Sequence, residues 1–119
     1  MNLQPIAAAL PLCLLFAWGL QSQDAGSKNS LAHFQAGEAF FAQHNYQFAG
    51  LEFKAALVGD LQPKWTEVWS HLELGKVWDI TRQRSRAIHE YELAQATKDN
   101  TRGALDEAAK YLKVPFEGS

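Results

Sequence analysis

Residues 71–79 read HLELGKVWD, and residues 87–94 read AIHEYELA. These two stretches carry the most information because an earlier part of the chain repeats their spacing. Gly75, Ala87, Tyr91 and Ala94 each follow a counterpart at one constant offset: Gly37, Ala49, Phe53 and Ala56. At the same offset Trp78 answers Phe40, and His71 answers His33. A fixed period of spaced small and aromatic residues marks a helical-repeat architecture, in which each unit is too thin to bury its own face and stacks on a neighbour. Gly allows paired helices to approach closely, Ala does so from the opposite helix, and the aromatic rings fill the space beside them.

On the N-terminal side, Leu31 to Gln43 is expected to be helical, capped by Asn29 or Ser30. Leu31, Phe34, Phe41 and Ala42 form one apolar side of it, and Ala36, Gly37 and Phe40 another, so this helix is expected to be sandwiched. His44-Asn45 supplies the turn, with Asn suited to the left-handed backbone of a tight connection. A second helix follows over Tyr46–Val58, then a Gly- and Pro-containing loop, GDLQPK, at 59–64. The third helix spans Trp65–Thr81 and the fourth Arg84–Thr97, broken by Lys98-Asp99-Asn100. The last covers Arg102–Lys113 and stops before Pro115. No stretch alternates with period two for long enough to make a strand, so the chain reads as all-α.

The spaced residues resemble the tetratricopeptide repeat (TPR). The second unit places His71, Leu74-Gly75, Trp78, Ala87, Tyr91 and Ala94 in that pattern; the first places His33, Ala36-Gly37, Phe40, Ala49, Phe53 and Ala56. The step from Gly to the first Ala is the same in both units, and the resemblance covers residues 30 to 97. Both units carry His where the family has Trp, and Leu61 and Asp99 stand where Pro would close a unit. The resemblance implies two helix-turn-helix units, 30–61 and 62–99, and a C-terminal capping helix at 100–113 followed by a tail at 114–119. Together these would form a fragment of a right-handed superhelical solenoid. In the capping helix Leu105, Ala108, Ala109 and Leu112 fall in packing slots, with Asp106, Glu107 and Lys110 expected to face water.

No Lys, Arg, Asp or Glu occurs before Asp24. The run Ile6 to Leu20, IAAALPLCLLFAWGL, is shorter than the roughly 20 residues of a membrane span and matches the apolar core of a secretory leader. Residues 1–20 therefore read as a signal peptide or, alternatively, a membrane anchor formed by residues 6–20, with a flexible linker at 21–29. The expectation is a small exported protein of bacterial type, periplasmic or secreted. Cys13 is the one cysteine and falls inside that leader, so a processed chain would have no disulfide.

Net charge is −2, and the most basic stretch is the spaced set Arg82, Arg84 and Arg86. That is too little for a phosphate-binding surface, so no nucleic-acid partner is expected. No two of the four histidines have the i, i+4 spacing of a helical metal site, and no glycine-rich phosphate loop or nucleophile elbow is present. The sequence thus predicts no metal, no cofactor and no enzyme. In the resembled family the first helix of each unit lines the inner surface. That implies a site built from Phe34, Glu38 and Phe41 in the first unit and Trp69, Leu72, Lys76 and Asp79 in the second, with Trp65 one turn earlier. The expected role is an apolar groove for a partner protein's peptide or helix, with Glu38, Lys76 and Asp79 giving directional contacts. Lys76 is the one cation of the set, which argues against a clamp for acidic peptide ends. The alternative is a structural subunit that uses the same surface as a permanent assembly interface. Because two units and a cap lie near the lower limit for such stacks, homodimerisation is a further expectation.

Overall fold

Five helices follow one another along residues 28–118, the part of the chain that the computed structural model describes. They are α1 (Ser30–Ala42), α2 (Tyr46–Leu57), α3 (Trp65–Ile80), α4 (Arg84–Ala96) and α5 (Ala104–Lys113), with a short 3-10 turn at Thr101–Gly103 before the last. No strand occurs among the described residues, so the all-α expectation holds there. The expected leader or anchor at 1–20 and nearly all of the linker lie outside them. The last helix begins at Ala104, later than the Arg102 start that the sequence suggests, because Arg102 and Gly103 take positive φ values of 55° and 75°.

The ends of the helices explain their lengths. Asn29 caps α1, accepting from the Ala32 N–H at 2.9 Å. α1 and α3 then finish in the same way. His44 and Arg82, equivalent positions of the repeat, take left-handed φ values of 61° and 63°, and the N–H groups of Asn45 and Gln83 reach back to the carbonyls of Phe40 and Trp78 at 2.9 and 2.7 Å. This closure satisfies carbonyls that a helix end leaves open. The left-handed residue of the first turn is His44 and not Asn45, because Asn45 serves as the cap of α2, accepting from the Phe48 N–H at 3.4 Å.

Ser30 clamps the first hairpin shut. Its buried hydroxyl donates to the Ala56 carbonyl at 2.6 Å and accepts from the Leu61 N–H at 2.8 Å. Its own N–H donates to Asp60 at 3.1 Å, and the Ser30 and Gln62 N–H groups hold that exposed carboxyl below the usual carboxylate range.

Consecutive helices pack on one another, and α3 also touches α1 and α5. Phe34, Ala49, Phe53, Ala56, Leu74 and Val77 form one core cluster; Val68, Leu72, Ala87, Tyr91, Ala94, Ala104 and Ala108 form the other. α3 supplies both, with half of its residues buried, so the sandwiched helix is α3. The sequence assigned that place to α1, which buries only Ser30, Phe34 and Gly37 because no described element precedes it. Each large side chain enclosed this way stabilises the fold by roughly 1.5–3 kcal/mol.

The repeated slots pack as their spacing requires. A Cβ added at Gly37 would lie 2.6 Å from the Phe53 ring, and one at Gly75 would collide with the Tyr91 ring. The two histidines that repeat at the same offset find equivalent partners on the second helix of each hairpin: His33 Nδ1 lies 2.8 Å from Glu52 and His71 Nδ1 2.9 Å from Glu90. Each pair ties the two helices of its hairpin together.

Candidate functional site

The face shared by α1, α3 and α5 carries the residues singled out from the sequence. Its two halves differ. At the end nearest the start of α3, Trp65 meets Phe34 edge-on with centroids 5.3 Å apart, and the Arg102 guanidinium lies 5.0 Å from the Trp65 ring. The Trp69 indole N–H donates to the Thr101 carbonyl at 2.9 Å. Phe34 keeps 7% of its surface exposed and Leu72 none, so both are core residues and present nothing to a groove. Trp69 packs against both clusters and acts as a wedge between them. Helical spacing alone could not separate these roles, because α1 and α5 flank α3 closely enough to enclose side chains that an open face would expose.

The other half is polar and aromatic. Lys76 Nζ lies 2.8 Å from Glu73 and 3.1 Å from Glu107, and it also sits 5.6 and 5.2 Å from the centroids of the Tyr111 and Phe116 rings. Burial alone would lower the Lys76 ammonium, but Glu73 and Glu107 outweigh it and hold the group above its ordinary value. The expectation that Glu107 faces water holds only in part: its side chain stays 35% exposed, but its ion pair with Lys76 draws it toward this face. Glu38 completes the cluster. Partial burial of its carboxyl, together with the hydrogen bond and charge of Glu73, pushes that carboxyl up to about 8.

Asp79 is the most heavily used group on the face. Its side chain is 1% exposed. Its two oxygens accept from Arg84 Nη1 at 3.1 and 3.0 Å, and Oδ2 also accepts from the Tyr91 hydroxyl at 2.7 Å and from the Phe116 backbone N–H at 2.9 Å. Burial and the neighbouring Asp79 keep the Tyr91 hydroxyl well above its ordinary range, so it serves as a donor. The Phe116 ring lies 6.1 Å from Phe41 and 5.2 Å, edge-on, from Tyr111. The segment after α5 therefore crosses the face, with its ring on Phe41, Tyr111 and Lys76 and its N–H on Asp79.

Glu38, Phe41, Lys76 and Asp79 are thus brought together, while Phe34, Trp65, Trp69 and Leu72 belong to packing at the other end. Glu73, Tyr111 and Phe116 complete the site and were missed in the sequence. The available signal was Phe116 itself, an aromatic directly after Pro115 beyond the last helical residue. Chemically, the arrangement grips one ring and one backbone N–H, and Asp79 joins Arg84, Tyr91 and Phe116 through a single buried carboxylate. Among the described residues no three His, Cys, Asp or Glu side chains converge as metal ligands would, and no described helix is long and apolar enough to cross a membrane. No protein-family model, curated protein or solved structure matches the chain. The functional reading therefore rests on the site itself.

Proposed function

We propose that this chain is a non-enzymatic protein–protein interaction module. It is built of two tetratricopeptide-like units and a capping helix, arranged as a solenoid fragment, and it binds an extended segment of a partner protein on the face of α1, α3 and α5. The observation that carries this reading is the Phe116 contact. An extended stretch of chain lies across that face, held by an aromatic socket and by one carboxylate aimed at a main-chain N–H. Side-chain pockets combined with main-chain hydrogen bonds are how extended peptides are usually recognised. The alternative, a permanent assembly surface on the same face, draws less support because the core of such an interface is poor in charge, whereas this half of the face carries Glu73, Lys76, Asp79 and Glu107.

The test is an array of immobilised peptides probed with the full chain and with its Lys76→Glu variant, which reverses the charge under the socket. Peptides retained by the first and lost by the second support the reading. An array on which the folded variant and the parent retain the same peptides, or on which a Phe116→Ala chain with its socket vacated retains none, overturns it. Export goes with this reading: a mature chain beginning near Gln21, by mass spectrometry of protein recovered from expressing cells, supports a cleaved leader, and one beginning at Met1 overturns it.

A further inference from the structure

We infer that the segment 114–118 is a self-ligand, occupying in cis the place of a partner segment that carries an aromatic residue directly after proline. The inference rests on the proposal that this face binds peptides, and it adds the chemistry of the ligand and a means of regulating access.

The contacts define what the site selects. Val114 is extended, with φ −133° and ψ 125°, and Pro115 fixes the backbone that follows it. Proline has no N–H, so the first main-chain donor after Val114 is that of Phe116, which reaches Asp79 Oδ2 at 2.9 Å. The Phe116 ring fills the space between Phe41 and Tyr111, with the Lys76 ammonium 5.2 Å from its centroid. A ring is required because the site offers it an edge-on aromatic neighbour and a cation, which an aliphatic side chain uses poorly. The preceding proline helps because a segment already extended loses less freedom on docking.

Two features make this occupant replaceable. Its hold rests on one ring with its Lys76 contact and on one hydrogen bond, far less than a helix buries, so it is the part of the face most readily released. The face also continues past it. Depressions of about 240 and 370 Å³ adjoin it, each walled in part by residues 115–118 themselves; Phe41, His44, Tyr46, Ile80 and Arg82 supply the rest of their walls and stay in place when the segment leaves. A longer partner segment would use that extra surface. Tethering gives the cis segment a high effective concentration, so a partner lacking those added contacts would be excluded.

The experiment uses the full chain and a fluorescent peptide of residues 113–119, KVPFEGS, followed by anisotropy. The parent chain, its site occupied, is expected to bind weakly. The Phe116→Ala chain is expected to bind at least about tenfold more tightly, in proportion to the site freed. A peptide with Ala in place of its Phe is expected to bind neither. Phe116→Leu, which keeps an apolar side chain at that position and guards against loss of folding, is expected to fall between the two, with thermal melts showing that both variants fold. Equal binding by parent and variants overturns the self-ligand while leaving the face a peptide site. Absence of binding by both folded variants overturns both readings. A rise in mass of the parent chain with concentration by light scattering, abolished by Phe116→Ala, would assign the socket to exchange between copies and overturn a foreign partner.

Discussion

The hairpins α1–α2 and α3–α4 use the same slots with different chemistry. Phe41 and Tyr46 meet edge-on at 5.4 Å; their counterparts in the second hairpin, Asp79 and Arg84, form an ion pair at 3.0 Å. Phe40 packs on Phe48 at 5.5 Å, whereas Trp78 carries the Arg86 guanidinium at 5.1 Å. Phe53 has no polar side-chain atom, and its counterpart Tyr91 turns a hydroxyl onto Asp79. The repeat thus preserves which positions touch and leaves open how they touch. The first hairpin supplies an apolar wall for Phe116 and the second supplies the acceptor for its N–H.

The largest effect should come from the glycine slots. Gly75→Ala is expected to cost about 3 kcal/mol and Gly37→Ala about 1–2 kcal/mol, measured by urea unfolding, since an added methyl in a filled core is strained. The asymmetry arises because Asp79 tethers the Tyr91 ring by its hydroxyl, while the equally buried Phe53 ring has no such anchor. In a Tyr91→Phe background the two costs should converge; if they stay apart, the tether is not the cause.

Exchanging the aromatic residues probes the same pair of slots more finely. Tyr91→Phe is expected to lose about 1–2 kcal/mol, because it leaves a buried carboxylate one donor short. Phe53→Tyr should not repay that loss in the first hairpin. Its hydroxyl would face the Phe41 slot, and a cost of about 1–3 kcal/mol is expected for an unpartnered buried polar group. A stabilised Phe53→Tyr chain would refute this account.

The histidine pairs should differ less. The side chains of His71 and Glu90 are each 14% exposed, against 25% and 29% for His33 and Glu52. His71→Ala is therefore expected to cost about 1 kcal/mol and His33→Ala about half that, because water competes more at the outer pair. Equal losses at neutral pH would mean that exposure does not set their worth.

The smallest effect concerns Glu38, which shares its slot with Lys76. An acid whose carboxyl is pushed up in the fold opposes folding once the unfolded chain begins to ionise. The cost is absent below the ordinary value of 4.5, grows as pH rises toward about 8, and is constant beyond. Glu38→Gln should therefore match the parent in melting temperature at acid pH and exceed it progressively across that window. Solvent that still reaches the outer side of Glu38 keeps the gain small. A gap that does not change with pH would show that Glu38 acts by shape and not by charge.

Much of this was legible in the residues. Helices, turns and the packed slots at Gly37, Phe53, Gly75 and Tyr91 follow from local spacing. The histidine partners were legible too, since Glu52 and Glu90 repeat at the same offset as the histidines they serve. The site was half legible: Glu38, Phe41, Lys76 and Asp79 lie where helical periodicity puts them. Phe34 and Leu72 have the same periodicity but are enclosed, because the nearness of α1 and α5 to α3 is a tertiary property.

Two hairpins in one register could thus be read from the residues alone, because every contact that builds a hairpin recurs at a fixed, short separation and leaves a repeated signature. That the face between them is covered emerged only from the assembled fold. Trp69 meets Thr101 across 32 residues, and Phe116 meets Asp79 across 37. Contacts so distant, each made with a residue outside the period, Thr101 or Phe116, are set by the path of the chain around a finished core.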